Sequence, residues 1–191
     1  MMRVITGSAK GRKLLSVPGQ HTRPITDRVK TALFDTLGQQ VGGCRFLDLF
    51  SGTGSVGIEA LSRGADEVLF VEINRQALRT IGENLRRTGL AERAHVVPGD
   101  AFTFLRRPEL GPFDVIYVAP PQYRRLWVKA LQAIDSRSSL LTEDGQVIVQ
   151  IHPKEQEELD LQHLELVDQR RYGSTVLLFW EMIKASSAVC I

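Results

Sequence analysis

Apolar residues along this chain switch between two periods. Over 45–49, 67–72, 94–98, 113–119 and 146–151 they form short, nearly continuous runs rich in Val, Ile, Leu and Phe, which predicts strands covered on both faces. Between these runs, 55–63, 74–87, 100–106 and 124–134 carry apolar residues at helical spacing. Regular strand-helix alternation predicts a parallel sheet with helices on both sides. The last two apolar runs, 164–171 and 174–182, follow each other with only a turn at Tyr172-Gly173. So short a turn cannot make a parallel crossover, so they predict an antiparallel hairpin. The predicted architecture is α/β, a seven-stranded, Rossmann-like, mostly parallel sheet with an antiparallel C-terminal hairpin.

Ahead of this pattern, Arg3 to Ser16 alternate loosely in polarity around Gly7-Ser8-Ala9-Lys10-Gly11 and predict a small hairpin. Thr26 is placed to cap a helix carrying Val29, Ala32, Leu33 and Leu37. Residues 1–43 thus read as a basic hairpin-and-helix extension, and 44–191 as the main domain. With 191 residues, 43% hydrophobic and 24% charged, the chain can bury one full core.

The net charge of +2 hides an uneven distribution. Met1 to Gln40 holds seven basic residues (Arg3, Lys10, Arg12, Lys13, Arg23, Arg28, Lys30) against Asp27 and Asp35, whereas Lys154 stands among Glu155, Glu157, Glu158, Asp160 and Glu165. A basic arm beside a neutral body predicts a polyanionic partner, with Lys10, Arg12, Lys13, Arg23 and Arg28 set around turns that could follow a phosphate backbone. Cys44 and Cys190 show no disulfide or metal spacing, and His21, His95, His152 and His163 form no zinc pattern. No metal is expected. No run reaches the roughly 18 apolar residues of a membrane span, so a cytoplasmic protein is predicted, or an organellar one if a targeting segment was removed.

The segment Asp48-Leu49-Phe50-Ser51-Gly52-Thr53-Gly54-Ser55-Val56-Gly57 ends a strand, turns on glycines and opens a helix, the place where open α/β sheets bind ligands. Gly52, Gly54 and Gly57 match the dinucleotide pattern, whose usual ligand is a pyrophosphate on a helix N-terminus. Asp48 would repel a pyrophosphate. It suits a ligand with an ammonium and a sulfonium and no phosphate, which describes S-adenosylmethionine. Glu72 ends the second strand, 18 positions after Gly54, where a carboxylate can accept hydrogen bonds from both ribose hydroxyls. Asp100, with Ala101, follows the third strand and is placed to meet adenine. The predicted cofactor set is Asp48, Phe50, Ser51, Gly52, Thr53, Gly54, Glu72, Ile73, Asp100 and Ala101. Each acid also has a plain structural reading, as a cap for the turn or helix that follows it.

Nearly the whole chain resembles the RsmD family. The resemblance rests on Gly11-Arg12-Lys13-Leu14, on Arg23-Pro24-Ile25-Thr26-Asp27-Arg28-Val29-Lys30-Thr31-Ala32-Leu33-Phe34, on the segment from Asp48 to Gly64-Ala65, and on Arg171-Tyr172-Gly173-Ser174-Thr175. It implies a class I methyltransferase fold and transfer of a methyl group to the exocyclic amino group of a guanine in 16S rRNA, within a partly assembled small subunit. Amino-directed methyltransferases carry Asp or Asn before Pro-Pro and an aromatic residue after the fourth strand. Here Val118-Ala119-Pro120-Pro121-Gln122-Tyr123 replaces the acid by alanine and inserts a glutamine. An alanine methyl cannot accept a hydrogen bond. The candidate catalytic loop therefore offers backbone carbonyls near Ala119 and Pro120, with Pro121 behind them, the Gln122 amide and the Tyr123 ring, on which a flipped base could stack. Asp114 begins the strand, far from its active end, and reads as structural.

The departure leaves a second reading open, an RNA-binding assembly factor that keeps the fold with weak catalysis. A NAD-dependent dehydrogenase is a more distant alternative, since no catalytic set accompanies the glycines.

Overall fold

The computed structural model describes residues 2–18 and 25–184. Arg23, Pro24, His21 and Cys190 of the sequence reading lie outside them. Seven strands, β1 (Arg45–Asp48), β2 (Glu67–Glu72), β3 (Ala94–Pro98), β4 (Phe113–Val118), β5 (Leu141–Ile151), β6 (Leu164–Tyr172) and β7 (Thr175–Met182), form one sheet in the order β3-β2-β1-β4-β5-β7-β6. Strands β1 to β5 pair in parallel, whereas β7 runs antiparallel to both β5 and β6. The hairpin at Gly173 thus inserts β7 between its neighbours, and Gly173 takes the left-handed φ of 60° that the turn requires.

Neighbouring strand residues face opposite ways. Phe46, Val68, Val115 and Ile148 enter one buried cluster, and Leu47, Leu69, Ile116 and Val149 enter the other. That split explains why the strands read as unbroken apolar runs. Helices α1 (Asp27–Leu37), α2 (Ser55–Ser62) and α3 (Arg75–Thr88) cover the first face; α4 (Ala101–Leu105) and α5 (Leu126–Asp135) cover the second. Thr26 caps α1 by accepting from the Val29 amide at 3.3 Å, and Asn74 caps α3 by accepting from Gln76 and Ala77. Every residue of α2 is buried. Its Gly57 is indispensable to that packing, because a Cβ there would sit 2.3 Å from the Phe70 ring.

One expectation is corrected, and another holds over a shorter span. Strand β5 begins at Leu141, five residues earlier than the apolar run suggests, and the extra residues join β4 through a register shift between Phe113 and Val115. The N-terminal hairpin forms, but is short: Arg3 bridges Lys13 in antiparallel register, and the Val4 amide donates to the Arg12 carbonyl at 3.0 Å, the Gly11 amide to the Val4 carbonyl at 2.9 Å and the Leu14 amide to the Met2 carbonyl at 2.9 Å. Other amides of the arm are bonded to side chains of the body: Glu59 accepts from the Ile5 and Thr6 amides, Ser62 from the Ala9 amide and Asn84 from the Leu15 amide, at 2.7–2.9 Å. Val4, Ala9 and Leu14 join the same core cluster as α2. Gly7, at φ 87°, lies against helix α2 so closely that a Cβ would fall 1.8 Å from the Ser62 carbonyl.

Candidate active site

From β1 the chain order runs outward to β2 and β3, and β4 and β5 lie on the opposite side. The crevice at the carboxyl ends of β1 and β4 is therefore the topological switch point, where such sheets bind ligands. The glycine turn occupies it. Gly52 (φ 55°) and Gly54 (φ 75°) adopt left-handed conformations that a side chain would strain. Gly54 heads α2, which aims the helix N-terminus at the crevice.

Asp48, at the end of β1, is buried, and its Oδ2 accepts from the Gly57 amide at 3.1 Å. Burial pushes its carboxyl up to about 7; the Gly57 bond opposes this and the nearby Glu72 charge adds to it. Beside it on β4, Tyr117 is buried with its hydroxyl 2.6 Å from Gln150 Oε1, and burial raises its phenol well above the usual value. Glu72, half-buried, accepts from the Gly52 amide through one oxygen and from the Asn74 amide through the other, both at 2.8 Å. Two backbone donors thus fix the carboxylate's plane, while each oxygen keeps a lone pair for a further donor. Ser51 ties the turn to both strands, donating to the Asp48 and Val71 carbonyls.

Around these groups, Phe50 and Thr53 are half-buried and Ile73 is exposed at the mouth. The Phe50 and Phe102 rings meet edge to face at 6.2 Å. Ala101 is buried at the start of α4. Asp100 is exposed and caps α4, accepting from the Thr103 amide and hydroxyl at 2.8 and 3.1 Å. That is the structural role the sequence left open for it, and it occupies one of its two oxygens.

The loop after β4 lies at the same end of the sheet. Ala119 is half-buried and packs on the core, while Pro121, Gln122 and Tyr123 are exposed. Tyr123 and Arg125 take φ of 62° and 51°, a left-handed backbone costing roughly 1–2 kcal/mol per non-glycine residue. The Tyr123 ring is 65% exposed and stands 5.6 Å from the His152 ring, tilted by 46°. Asp114, as expected, is structural: it accepts from the Arg45 amide and the Thr142 hydroxyl.

The basic arm borders the glycine turn. Thr53 Oγ1 lies 3.5 Å from Met2 Sδ, and Asn84 donates to the carbonyls of Leu15 and Thr53. Of its cations, Lys10, Arg12, Lys13 and Arg28 are exposed, whereas Arg3 pairs with Asp27 at 3.0 Å. Lys30 is wholly buried, 3.4 Å from Glu59, and donates to the Arg3 carbonyl and the Ser55 hydroxyl. Burial lowers the Lys30 pKa and Glu59 partly restores it. Lys30, Glu59 and Asn84 are the residues the sequence pattern missed. Their one visible signal is Glu59, a lone acid in the otherwise uncharged helix Ser55–Ser62.

The family model described as Conserved hypothetical protein 95 matches residues 2–181. A Bacillus subtilis protein provisionally named rRNA methyltransferase YlbH is 42% identical over 159 residues, 82% of this chain and 85% of its own. Ribosomal RNA small subunit methyltransferase D of Haemophilus influenzae is 36% identical over 70% of each chain. A solved Escherichia coli structure, provisionally the methyltransferase yhhF, superposes with a TM-score of 0.82 at 30% identity, covering 95% of this chain and 97% of that one. An RNA methyltransferase of Salinibacter ruber, solved with S-adenosyl-L-homocysteine, shares the fold at a TM-score of 0.63 and 15% identity, over 85% of this chain and 95% of its own. With this match running from the basic arm through the glycine turn to the last strand, the chain belongs to the RsmD family of ribosomal RNA small subunit methyltransferases.

Proposed function

We propose that this chain transfers a methyl group from S-adenosylmethionine to the exocyclic N2 amino group of a guanine in 16S rRNA, in the free RNA or in a partly assembled small subunit. The observation that carries the reading is the pair of carboxylates, buried Asp48 and half-buried Glu72, on adjacent strand ends around the left-handed Gly52–Gly54 turn. The Asp48 carboxylate fits a cationic group of the ligand, and the orientation of Glu72 by two amides fits a ribose diol. The relatives named as rRNA methyltransferases support the chemistry and the substrate class.

Bound S-adenosylmethionine supplies an electrophilic methyl carbon on sulfur. The protein would have to hold the guanine amine in line with that carbon, so that the nitrogen lone pair could take the methyl as the carbon–sulfur bond breaks toward sulfur, with the amine proton passing to solvent water at the exposed 121–123 loop. The Tyr123 ring offers a face on which a flipped base can stack. Backbone carbonyls at Ala119 and Pro120 and the Gln122 amide oxygen are the acceptors left to orient the amine. Lacking a side-chain acceptor at position 119 costs on the order of 10²- to 10³-fold in rate relative to a loop that has one, which alignment of donor and amine offsets in part.

The test is methyl transfer from labelled S-adenosylmethionine to unmodified small-subunit RNA and particles. The natural chain is expected to transfer, and Tyr123→Ala to do so about 5- to 100-fold more slowly, the range for loss of one stacked base. Ala119, whose methyl offers no hydrogen-bond acceptor, favours the second reading, an assembly factor that binds RNA with little catalysis. That reading replaces the first if the natural chain binds RNA and cofactor but transfers nothing, and Ala119→Asp restores transfer.

For the arm, Arg12→Ala together with Lys13→Ala is expected to weaken RNA binding and to flatten the plot of log affinity against log salt by about 1.5, from roughly 0.7–0.9 for each phosphate no longer neutralised. An unchanged slope removes these two side chains from the RNA interface.

A further inference from the structure

We infer that Glu155 is a positioning residue for the target-base loop, holding Tyr123 in a backbone conformation the loop does not keep by itself. The inference rests on the proposed reaction, and it supplies what that proposal lacks, a device that fixes the loop in the absence of an acid at position 119.

Strand β5 ends at Ile151, and the chain turns at once through His152-Pro153-Lys154-Glu155. The turn is rigid. Pro153 sets its first residue, His152 Nδ1 accepts from the Lys154 amide at 3.1 Å, and Glu155 Oε2 accepts from the His152 amide at 3.3 Å. The other Glu155 oxygen reaches across to the loop after β4 and accepts from the Tyr123 amide at 2.6 Å. A second carboxylate, Glu157, accepts from Arg125 through Nε at 3.1 Å and Nη2 at 2.6 Å. The two loop residues engaged in this way, Tyr123 and Arg125, are the only non-glycine residues with positive φ among the described residues.

Strained backbone persists where its surroundings over-determine it. Here a charge-assisted bond to a short, capped turn provides that restraint, since bonds to ionised acceptors are the short, strong ones. The restraint acts where it matters to the reaction. With its amide pinned, Tyr123 presents its ring beside His152 rather than packing it inward, and a misplacement of about 1 Å in such a group costs on the order of 10²-fold in rate. Glu157 is the weaker restraint, because the Arg125 side chain is 71% exposed.

The mechanism separates Glu155→Ala from Glu155→Gln. An amide oxygen still accepts from the Tyr123 amide, so Glu155→Gln is expected to keep kcat within about fivefold, whereas Glu155→Ala lowers kcat about 10- to 100-fold. The KM for S-adenosylmethionine and its calorimetric Kd stay within about twofold in both, because no group of the glycine turn is touched. Hydrogen exchange at the Tyr123 amide provides a readout that needs no catalysis: it accelerates at least about tenfold in Glu155→Ala and much less in Glu155→Gln. Unchanged exchange in Glu155→Ala overturns the inference. So does equal loss of kcat in both variants, which would make the carboxylate charge itself part of the chemistry, or parallel loss of cofactor affinity, which would make Glu155 a general structural residue. If the natural chain transfers no methyl group to any substrate, the proposed function fails while exchange at Tyr123 still decides the role of Glu155.

Discussion

At pH 7.5, Asp48→Asn is expected to raise the unfolding temperature of the ligand-free protein by about 3–10 °C and to weaken S-adenosylmethionine binding about 100-fold. Both effects have one cause. Burial raises the Asp48 carboxyl from its ordinary 3.8 to about 7, so between those values the folded chain holds a proton that the unfolded chain has released. The associated stability is complete below 3.8 and is lost as pH rises through about 7. At roughly 1.4 kcal/mol per pH unit, the loss at neutral pH and above reaches a few kcal/mol. An asparagine of the same shape can still accept from the Gly57 amide and carries no charge to desolvate. A gain of about 1–3 kcal/mol moves the midpoint of a domain this size by the interval given.

The same charge is what the proposed ligand meets. At an effective dielectric constant of ~20, a carboxylate about 5 Å from a unit positive charge contributes roughly 3 kcal/mol, which is about two decades of affinity. Binding to the natural chain should therefore release a proton below pH 7, and affinity should fall as pH drops from 7 to 5.5; in Asp48→Asn it should be flat over that window. Calorimetry in buffers of different ionisation enthalpy measures both. A destabilised variant that binds with natural affinity would show that Asp48 is a structural cap for Gly57 and nothing more.

The legibility of this chain follows the kind of interaction each element depends on. Strands β1, β2 and β4 are readable to within a residue because their cover of helices forces both faces to be apolar, and periodicity registers that directly; β3, at the sheet edge, is only half-buried and is marked by its short apolar run. The start of β5 is not readable. Glu143, Asp144 and Gly145 look like a turn, and they continue the strand because Thr142 reaches Asp114 and the Phe113 carbonyl across the register shift. Asp48 and Glu72 stand out because strand end and glycine turn place them by local spacing. Glu155 sits 32 residues from Tyr123, and no local signal joins them. The arm is legible only in part. Alternating polarity suggests a hairpin, and the Val4, Gly11 and Leu14 amides form its short ladder, but the bonds of the Ile5, Thr6, Ala9 and Leu15 amides to Glu59, Ser62 and Asn84 join residues more than 50 positions apart and leave no local signal. Lys30 counts as one more basic residue in any charge tally, although it is buried and serves the core.

That buried junction sets the largest stability effect expected in the molecule. Glu59 accepts from the Ile5 amide at 2.8 Å, the Thr6 amide at 2.9 Å and Arg63 Nε at 2.9 Å, and it faces Lys30 Nζ at 3.4 Å with neither side chain more than 1% exposed. Glu59→Ala leaves the buried Lys30 ammonium without its counter-charge and the Ile5 and Thr6 amides without their acceptor, a loss of about 3–5 kcal/mol for a buried pair broken on one side. Lys30→Met should cost less, about 1–3 kcal/mol, since the thioether chain fills much of the stem's space and Glu59 keeps three donors. The pH dependence carries the diagnosis. Burial already holds the Lys30 pKa below its usual 10.5 against the pull of Glu59, and without that partner it falls further. The folded variant then binds fewer protons than the unfolded chain, so the stability of Glu59→Ala should climb from pH 7 to 10, with the deficit greatest at the acid end. Denaturant midpoints across that range, with an unchanged slope against denaturant, measure it. A loss under about 1 kcal/mol, or one that does not vary with pH, would mean that the arm is anchored by Ser62, Asn84 and its apolar contacts instead. With the expected loss, the arm loosens at Ile5 and Thr6, and the exposed cations Lys10, Arg12 and Lys13 lose their fixed positions on the body, so RNA affinity should fall in Glu59→Ala although no RNA-facing side chain has changed.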